Sequence, residues 1–170
     1  MIDVLISEYK NMFKKKKLIF LRSLLCYYRT PKYRVVVLIR CALRSKYKFM
    51  RKWYRNKLAI KYSVELGINP KIGKNLKLEH FQGIVIGDDV VIGDNCILYQ
   101  QVTLGQKNGK YPVVGDRVVI FAGAKVIGNV NIGNDSIIGA NAVVLKDVQS
   151  NKCAVGIPAK VIDKRLENNE

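Results

Sequence analysis

Aliphatic residues recur at intervals of six through residues 66–144. The series consists of Leu66, Ile72, Leu78, Ile86, Ile92, Leu98, Leu104, Val114, Ile120, Val126, Ile132, Ile138 and Val144. Ten of its twelve steps are six residues long, and the exceptions are eight (Leu78 to Ile86) and ten (Leu104 to Val114). A fixed short period indicates one small structural unit stacked on itself. Six residues fit neither an amphipathic helix nor a heptad repeat.

Each six-residue unit has the composition of a short strand and a sharp corner. Glycine follows the aliphatic residue in eight of the thirteen units, and Asn or Asp is common in the turns. These residue types tolerate a left-handed backbone. Three corners would close a triangular coil, and stacked coils would place Ile86 beside Leu104 and Ile120 beside Ile138. We therefore predict a mainly β fold, a parallel β-helix over residues 63–160, because an ordinary all-β domain gives no reason for the period.

Positive charge is concentrated in the first third of the chain. The whole sequence has a net charge of +17, and residues 1–62 hold 18 lysines and arginines against Asp3 and Glu8. The repeat domain is therefore nearly neutral. We expect three regions: a basic N-terminal region over 1–62, the repeat domain over 63–160 and a tail over 161–170.

The basic region has the pattern of amphipathic helices. Aromatic and aliphatic residues recur at helical spacing in 13–28 and 33–62, and Thr30-Pro31 predicts a break between two helices. A basic helix with Trp and Tyr is typical first of a surface that lies on anionic lipid. A helical cap on the solenoid is the alternative. Nucleic acid is less favoured than both, because no recognised nucleic-acid module is present.

The remaining composition restricts location and metal chemistry. The four cysteines (Cys26, Cys41, Cys96 and Cys153) lack metal-type spacing, which favours reduced thiols in a cytoplasmic protein. No apolar run reaches the length of a membrane span, and no cleavable signal peptide is expected. A three-histidine zinc centre is excluded, because the chain contains one histidine.

The two irregular steps of the repeat are candidate functional loops, because loops on a rigid scaffold carry function. The first adds two residues around 79–83 and contains His80, the single histidine. The second adds four residues within 105–112, a polar and basic segment punctuated by glycine. It is suited to a flap over a ligand.

Motifs across the repeat domain resemble those of one enzyme family. They are Val64-Glu65, Lys71-Ile72-Gly73, Leu78-Glu79-His80, Gly83-Ile84-Val85-Ile86-Gly87, Val102-Thr103-Leu104-Gly105, Ala122-Gly123-Ala124-Lys125, Ile138-Gly139-Ala140 and Gly156-Ile157-Pro158-Ala159-Lys160. The stretch 62–160 thereby resembles the serine acetyltransferase branch of the hexapeptide acyltransferases. The resemblance implies a left-handed parallel β-helix, a homotrimer, and acetyl-CoA bound between neighbouring subunits, with no metal in the reaction.

The resemblance also implies the roles of particular residues. His80 falls on the catalytic histidine, Glu65 on its carboxylate partner, and Glu79 on an acceptor-binding acid. Residues expected to contact acetyl-CoA are Gly105, Ala122, Ala140, Lys146, Ile157, Pro158 and Lys160. Cations at Lys146 and Lys160 would suit the phosphates. Ile157 and Pro158 would flank the adenine.

Two departures from the family direct the prediction of the acceptor. An Arg-His pair that grips the serine carboxylate in that family is replaced by Lys110 and Tyr111, which we expect to bind the acceptor together with Glu79. The basic N-terminal region resembles that of capsule and other exopolysaccharide acetyltransferases. We therefore predict an acetyl-CoA-dependent O-acetyltransferase that acts on a saccharide hydroxyl in capsule or other surface polysaccharide synthesis, in the cytoplasm or at the inner membrane face. One alternative is serine O-acetyltransferase, and another is a scaffold that retains the fold without binding acetyl-CoA.

Overall fold

The computed structural model describes residues 2–13 and 19–163. The basic run 14–18, which belongs to the first predicted helical segment, lies outside the described residues. So does the part of the predicted tail from 164 to 170.

Four helices precede the strands in the described part of the chain. They are α1 (Ile2–Phe13), α2 (Ile19–Arg29), α3 (Pro31–Arg44) and α4 (Lys48–Tyr62). The predicted break at Thr30-Pro31 is confirmed, since Thr30 is extended and Pro31 opens α3. A single helix over 33–62 is wrong. Ser45 adopts an extended conformation at the end of α3. The Arg51 guanidinium donates a hydrogen bond of 2.6 Å to the Ser45 carbonyl.

Fifteen short strands follow in the described residues. They are β1 (Val64–Leu66), β2 (Lys71–Ile72), β3 (Lys77–Leu78), β4 (Ile84–Ile86), β5 (Val91–Ile92), β6 (Ile97–Leu98), β7 (Thr103–Gly105), β8 (Val113–Val114), β9 (Val119–Ile120), β10 (Lys125–Ile127), β11 (Asn131–Ile132), β12 (Ile137–Ile138), β13 (Val143–Val144), β14 (Lys152–Val155) and β15 (Lys160–Asp163). Every third strand joins the same sheet, which gives three faces. The first face is β1-β4-β7-β10-β13, the second is β2-β5-β8-β11, and the third is β3-β6-β9-β12-β14-β15.

The fold is the predicted parallel β-helix. All strand pairs are parallel except β14 with β15, which are antiparallel. Ile86 is paired with Leu104, and Ile120 with Ile138, as the period predicts. All thirteen periodic aliphatic residues are buried apart from the half-buried Ile72. The core is therefore a column of side chains that exists only through stacking of the coils.

Left-handed residues form the corners. Between the second and third faces they are Asn75, Asn95, Arg117, Asp135 and Asn151, and between the third and first faces they are Gly83, Gln101, Gly123 and Asn141. Asn and Gly adopt this conformation at low cost. The predicted turn residues are therefore confirmed at seven of these nine positions, whereas Gln101 and Arg117 adopt the left-handed conformation without being Gly, Asn or Asp.

The cysteines are free thiols at two levels of burial. Cys41 and Cys96 are buried, whereas Cys26 and Cys153 are partly exposed. Burial raises the pKa of Cys96 to about 11. This residue occupies the small core position that the repeat assigns to it.

The helices close the N-terminal end of the solenoid. α4 packs on β1, and α3 packs on β3. Arg40 of α3 forms a buried ion pair with Glu8 of α1 at 3.0 Å and donates hydrogen bonds to the carbonyls of Ile72 (2.6 Å) and Gly73. The helices therefore cap the solenoid, whether or not their outer surface also contacts lipid. Within 2–13 and 19–163, no helix is both long enough and apolar enough to span a bilayer.

Candidate active site

The two irregular loops lie at opposite edges of the first face. The loop with His80 connects β3 to β4, and so occupies the corner where the chain enters the first face. Residues 105–112 connect β7 to β8, at the corner where the chain leaves that face. One protomer therefore does not bring the two loops together.

The His80 loop is fixed by contacts with the end of α4 and the start of β1. Phe81 packs edge-on against Tyr62, with ring centroids 5.9 Å apart. The Gly83 amide donates to the Ser63 carbonyl at 2.8 Å. His80 itself is exposed, so a rigid loop presents a free imidazole to solvent.

Glu65 lies on the strand next to this loop. It is paired with Val85 in register, and its side chain is exposed on the outside of the first face. It lines a pocket of about 440 Å³ together with Ala59 and Ser63. Within the described residues, no hydrogen bond joins Glu65 to His80. Catalytic hydrogen bonds are often long before substrate binds, so this geometry is compatible with a dyad.

Glu79 is already engaged by a residue of the helical cap. Lys32 Nζ, in the first turn of α3, lies 2.9 Å from Glu79 Oε2. This hydrogen bond lowers the pKa of Glu79, with further help from the charge of Lys77. Lys32 was not predicted as a site residue. The two partners are 47 positions apart, and no motif links them.

A groove of about 720 Å³ runs along the same corner of the first face. Its lining residues are Gly83, Gln101, Thr103, Gly123, Lys125, Asn141, Val143 and Ile157. The Lys125 ammonium donates to the carbonyls of Gln101 (2.7 Å) and Gly123 (3.0 Å). Most of this lining was not predicted. The left-handed corner residues stack in one column, and that regularity is the signal that could have located the groove.

Several predicted acetyl-CoA contacts lie along this groove. Ala122 and Ala140 directly precede two of its lining residues, and Ile157 lines its far end. The turn that carries Ile157 and Pro158 folds back on β13, since the Ala159 amide donates to the Val143 carbonyl at 2.8 Å. The exposed Lys160 follows this turn in β15.

The second loop forms a small hairpin at the opposite edge. Lys107 and Lys110 exchange backbone hydrogen bonds of 3.0 and 3.1 Å, which leaves the side chain of Lys110 exposed. The Tyr111 hydroxyl donates to Asp88 Oδ2 at 3.4 Å. Partial desolvation and the Asp88 carboxylate raise the pKa of Tyr111, so the phenol stays neutral.

Gly87 provides the space for the Tyr111 ring. A β-carbon at Gly87 would lie 2.7 Å from a ring carbon of Tyr111. Gly105, at the end of β7, and Lys146, just after β13, occupy this same edge. The predicted site residues thus fall into two groups, one at each edge of the first face.

The second half of the repeat domain matches a known family of proteins. Residues 111–146 match the family described as Bacterial transferase hexapeptide (six repeats). This part of the repeat domain is therefore similar to the hexapeptide-repeat transferases.

Two relatives that match the repeat domain are serine acetyltransferases. The serine acetyltransferase of Staphylococcus aureus (strain N315) is 46% identical over 103 residues, which are 58% of this chain and 48% of that protein. The serine acetyltransferase of Synechococcus elongatus is 44% identical over 103 residues, which are 58% of this chain and 42% of that protein. The chain thus spans less than half the length of these curated relatives.

Solved structures extend the similarity to the helices. The Neisseria gonorrhoeae serine acetyltransferase superimposes with a TM-score of 0.81 at 26% identity, over 98% of this chain and 67% of that chain. Soybean serine acetyltransferase complexed with serine gives a TM-score of 0.78 at 27% identity, over 94% of this chain and 68% of that chain. The helical cap is therefore included in the similarity to serine acetyltransferases.

The prediction of a saccharide acceptor in capsule or surface polysaccharide synthesis is wrong. It depended on a basic N-terminal region judged unlike that of serine acetyltransferases, and on the residues Lys110 and Tyr111. The structural match covers 98% of the chain and so includes those helices. The relatives of the repeat domain are serine acetyltransferases as well. Charge and two loop residues were insufficient grounds for a different acceptor.

Proposed function

We propose that this protein is a serine O-acetyltransferase, which transfers the acetyl group of acetyl-CoA to the hydroxyl of L-serine. The observation that supports this proposal most is the exposed position of His80 on its loop. The single histidine of the chain is exposed on a loop whose Gly83 lines one end of the groove, and 103 residues of the chain are 46% identical to a serine acetyltransferase. The whole activity, its substrates and its assembly are parts of this proposal.

The chemistry requires a base at the position of His80. A serine hydroxyl is a weak nucleophile and must lose its proton as its oxygen attacks the thioester carbonyl. His80 accepts that proton. The C–S bond then breaks, an oxygen ester forms, and the imidazolium returns the proton to the thiolate of coenzyme A. Glu65 would orient the ring and stabilise its positive form, as the carboxylate of a catalytic triad does.

The division of site residues between two edges supports a homotrimer. In such an assembly the edge with His80, Ala122 and Ala140 would face the edge with Gly105 and Lys146 of a neighbouring subunit. Each active site would then combine the two groups. Lys146 and Lys160 would neutralise phosphates of acetyl-CoA. Ile157 and Pro158 would cover its adenine.

Release of free coenzyme A tests the proposal. We expect thiol release from acetyl-CoA to depend on L-serine and to run well above the acceptor-free rate, with O-acetylserine as the product. D-Serine is the matched control, since it has the same groups in the mirror arrangement. Absence of L-serine turnover by a protein that binds acetyl-CoA would refute the acceptor. Absence of acetyl-CoA binding would favour a scaffold role.

We further propose that the outer face of α4 contacts anionic lipid. Its inner residues Tyr54, Leu58 and Tyr62 are buried, whereas Phe49 and Ile60 on the outer side are 69% and 86% exposed. Half-exposed Trp53 continues this outer stripe and carries the Lys57 ammonium 4.6 Å above its ring. An apolar stripe flanked by cations suits the interface of an anionic bilayer.

The surrounding charge adds to this argument. Of the two acids in residues 1–62, Glu8 is buried in its pair with Arg40, so Asp3 is the one acid that faces solvent. The many lysines and arginines therefore meet little opposing charge on the cap. Such a surface attracts phosphate headgroups, and the range of this attraction shortens as the salt concentration rises.

Flotation with vesicles tests the contact. We expect binding to phosphatidylglycerol-containing vesicles in low salt, little binding to pure phosphatidylcholine, and release as salt increases. A Phe49→Ser/Trp53→Ser variant should bind less, because it keeps the charge and loses the apolar stripe. Failure to float with anionic vesicles at low salt would refute the contact. A doubled mass in solution that the same variant abolishes would assign the stripe to a second copy instead.

A further inference from the structure

Lys32, the cation that pairs with Glu79, is in contact with the loop that carries His80. We infer that Lys32 binds the carboxylate of the acceptor amino acid, an inference that rests on the proposed function. Lys32 lies in the cap, outside the repeat domain that carries the other site residues. The acceptor site would then be built jointly by the helical cap and the solenoid.

The geometry places two opposite charges beside the imidazole. Lys32 Nζ and Glu79 Oε2 are 2.9 Å apart, with 41% and 40% of their side chains exposed. Glu79 directly precedes His80, and both are on the loop anchored by Phe81 and Gly83. A ligand that reaches Glu79 from solvent therefore also reaches Lys32.

A free amino acid is the ligand that such a pair can accept without a change in net charge. Its ammonium would take the place of Lys32 on Glu79, and its carboxylate would take the place of Glu79 on Lys32. Each protein charge exchanges one partner for another, so neither is left unpaired. An exposed ion pair contributes little to stability, and separating it therefore costs little. The hydrogen bonds that Lys32 and Glu79 would form with the amino acid are charge-assisted, and such bonds are stronger than those between neutral groups.

The loop at the opposite edge is less suited to this task. Tyr111 is neutral and directed at Asp88, so it supplies no positive charge. Lys110 is a cation at the far edge of the first face, so in the proposed trimer it would reach the site from a neighbouring subunit, and no contact in the described part of the protomer joins it to the His80 loop. Lys32 is already in hydrogen-bond contact with the loop that carries His80.

Kinetics with two acceptors test the assignment. L-Serinamide keeps the hydroxyl and the amine of L-serine but lacks the carboxylate. We expect Lys32→Met to lower kcat/KM for L-serine by about 10–100-fold, as the loss of a charged hydrogen bond does, mainly through a higher KM. Its kcat/KM for L-serinamide and its KM for acetyl-CoA should stay as in the wild type. Lys32→Arg should retain most of the preference for the carboxylate.

Lys77→Met is the matched control. Lys77 is exposed on β3 and acts on Glu79 through charge, without a hydrogen bond to it in the structure. The variant therefore loses the same charge near the same acid and should keep its preference for L-serine over L-serinamide. An equal loss of that preference in Lys77→Met would show that general charge, and not Lys32, is responsible.

Three results would overturn the inference while leaving the proposed function intact. Unchanged L-serine kinetics in Lys32→Met would remove its role. Equal losses with L-serine and L-serinamide would make Lys32 a structural support for Glu79. Loss of the carboxylate preference in Lys110→Met alone would assign the carboxylate to the second loop. A wild-type protein that does not acetylate L-serine would instead refute the proposed function, and the role of Lys32 with it.

Discussion

Replacement of His80 by alanine is expected to lower kcat for acetyl transfer by about 10²–10⁴-fold, the usual contribution of a general base. Without the imidazole, the attacking hydroxyl loses the group that we propose takes its proton. The side chain is exposed, so its removal leaves no cavity in the core, and the unfolding midpoint should stay close to that of the wild type. Steady-state thiol release and thermal unfolding measure the two quantities on one preparation.

The control for this variant lies in the same loop. Gln82 is exposed two residues after His80, and Gln82→Ala should retain both activity and stability. Binding of acetyl-CoA by His80→Ala should also persist, because the groove is lined by other residues. Wild-type turnover in His80→Ala would show that another group, or water, removes the proton.

The solenoid could be predicted because its stability comes from contacts between equivalent positions. Each coil presents an aliphatic residue to the coil above and the coil below. Periodic residues that lie one full coil apart in the sequence are therefore in contact in the fold. The pairing of Ile86 with Leu104 follows from that rule alone. Left-handed corners follow in the same way, since Gly and Asn adopt that conformation at low cost.

The position of the loops relative to one another required the structure. Along the third face, Leu78, Leu98, Ile120, Ile138 and Ala154 are successive partners. The coils between them differ in length, so the corner that each loop occupies depends on the whole winding. The sequence identified both loops as insertions. It did not show that they lie at opposite edges of the first face.

The helical cap was the least predictable part. A helical pattern continues across Ser45, and the break there depends on a hydrogen bond from Arg51. The contact between Lys32 and Glu79 joins two distant segments that no shared period relates. The acceptor was mispredicted because the charge of the helices and two loop residues were given more weight than the similarity of the repeat domain to serine acetyltransferases.

Replacement of Arg40 by methionine is expected to lower the free energy of unfolding by about 3–5 kcal/mol, as the removal of one partner from a buried ion pair does. The Glu8 carboxylate would be left buried without its cation, and the carbonyls of Ile72 and Gly73 would lose their donor. Burial lowers the pKa of Arg40, whereas the charge of Glu8 raises it. The Arg40–Glu8 pair therefore links α1 and α3 to each other and to the first coil.

Urea denaturation of matched variants distinguishes this role from a general effect of charge. Arg117→Met breaks an exposed pair with Asp135 that has the same Nε–carboxylate contact, at 2.7 Å, and should leave the unfolding midpoint nearly unchanged. A Glu8→Leu/Arg40→Met double variant should recover part of the loss, because no unpaired charge stays buried. A single Arg40→Met variant as stable as the wild type would show that water reaches Glu8 and that the cap is held by its apolar contacts alone.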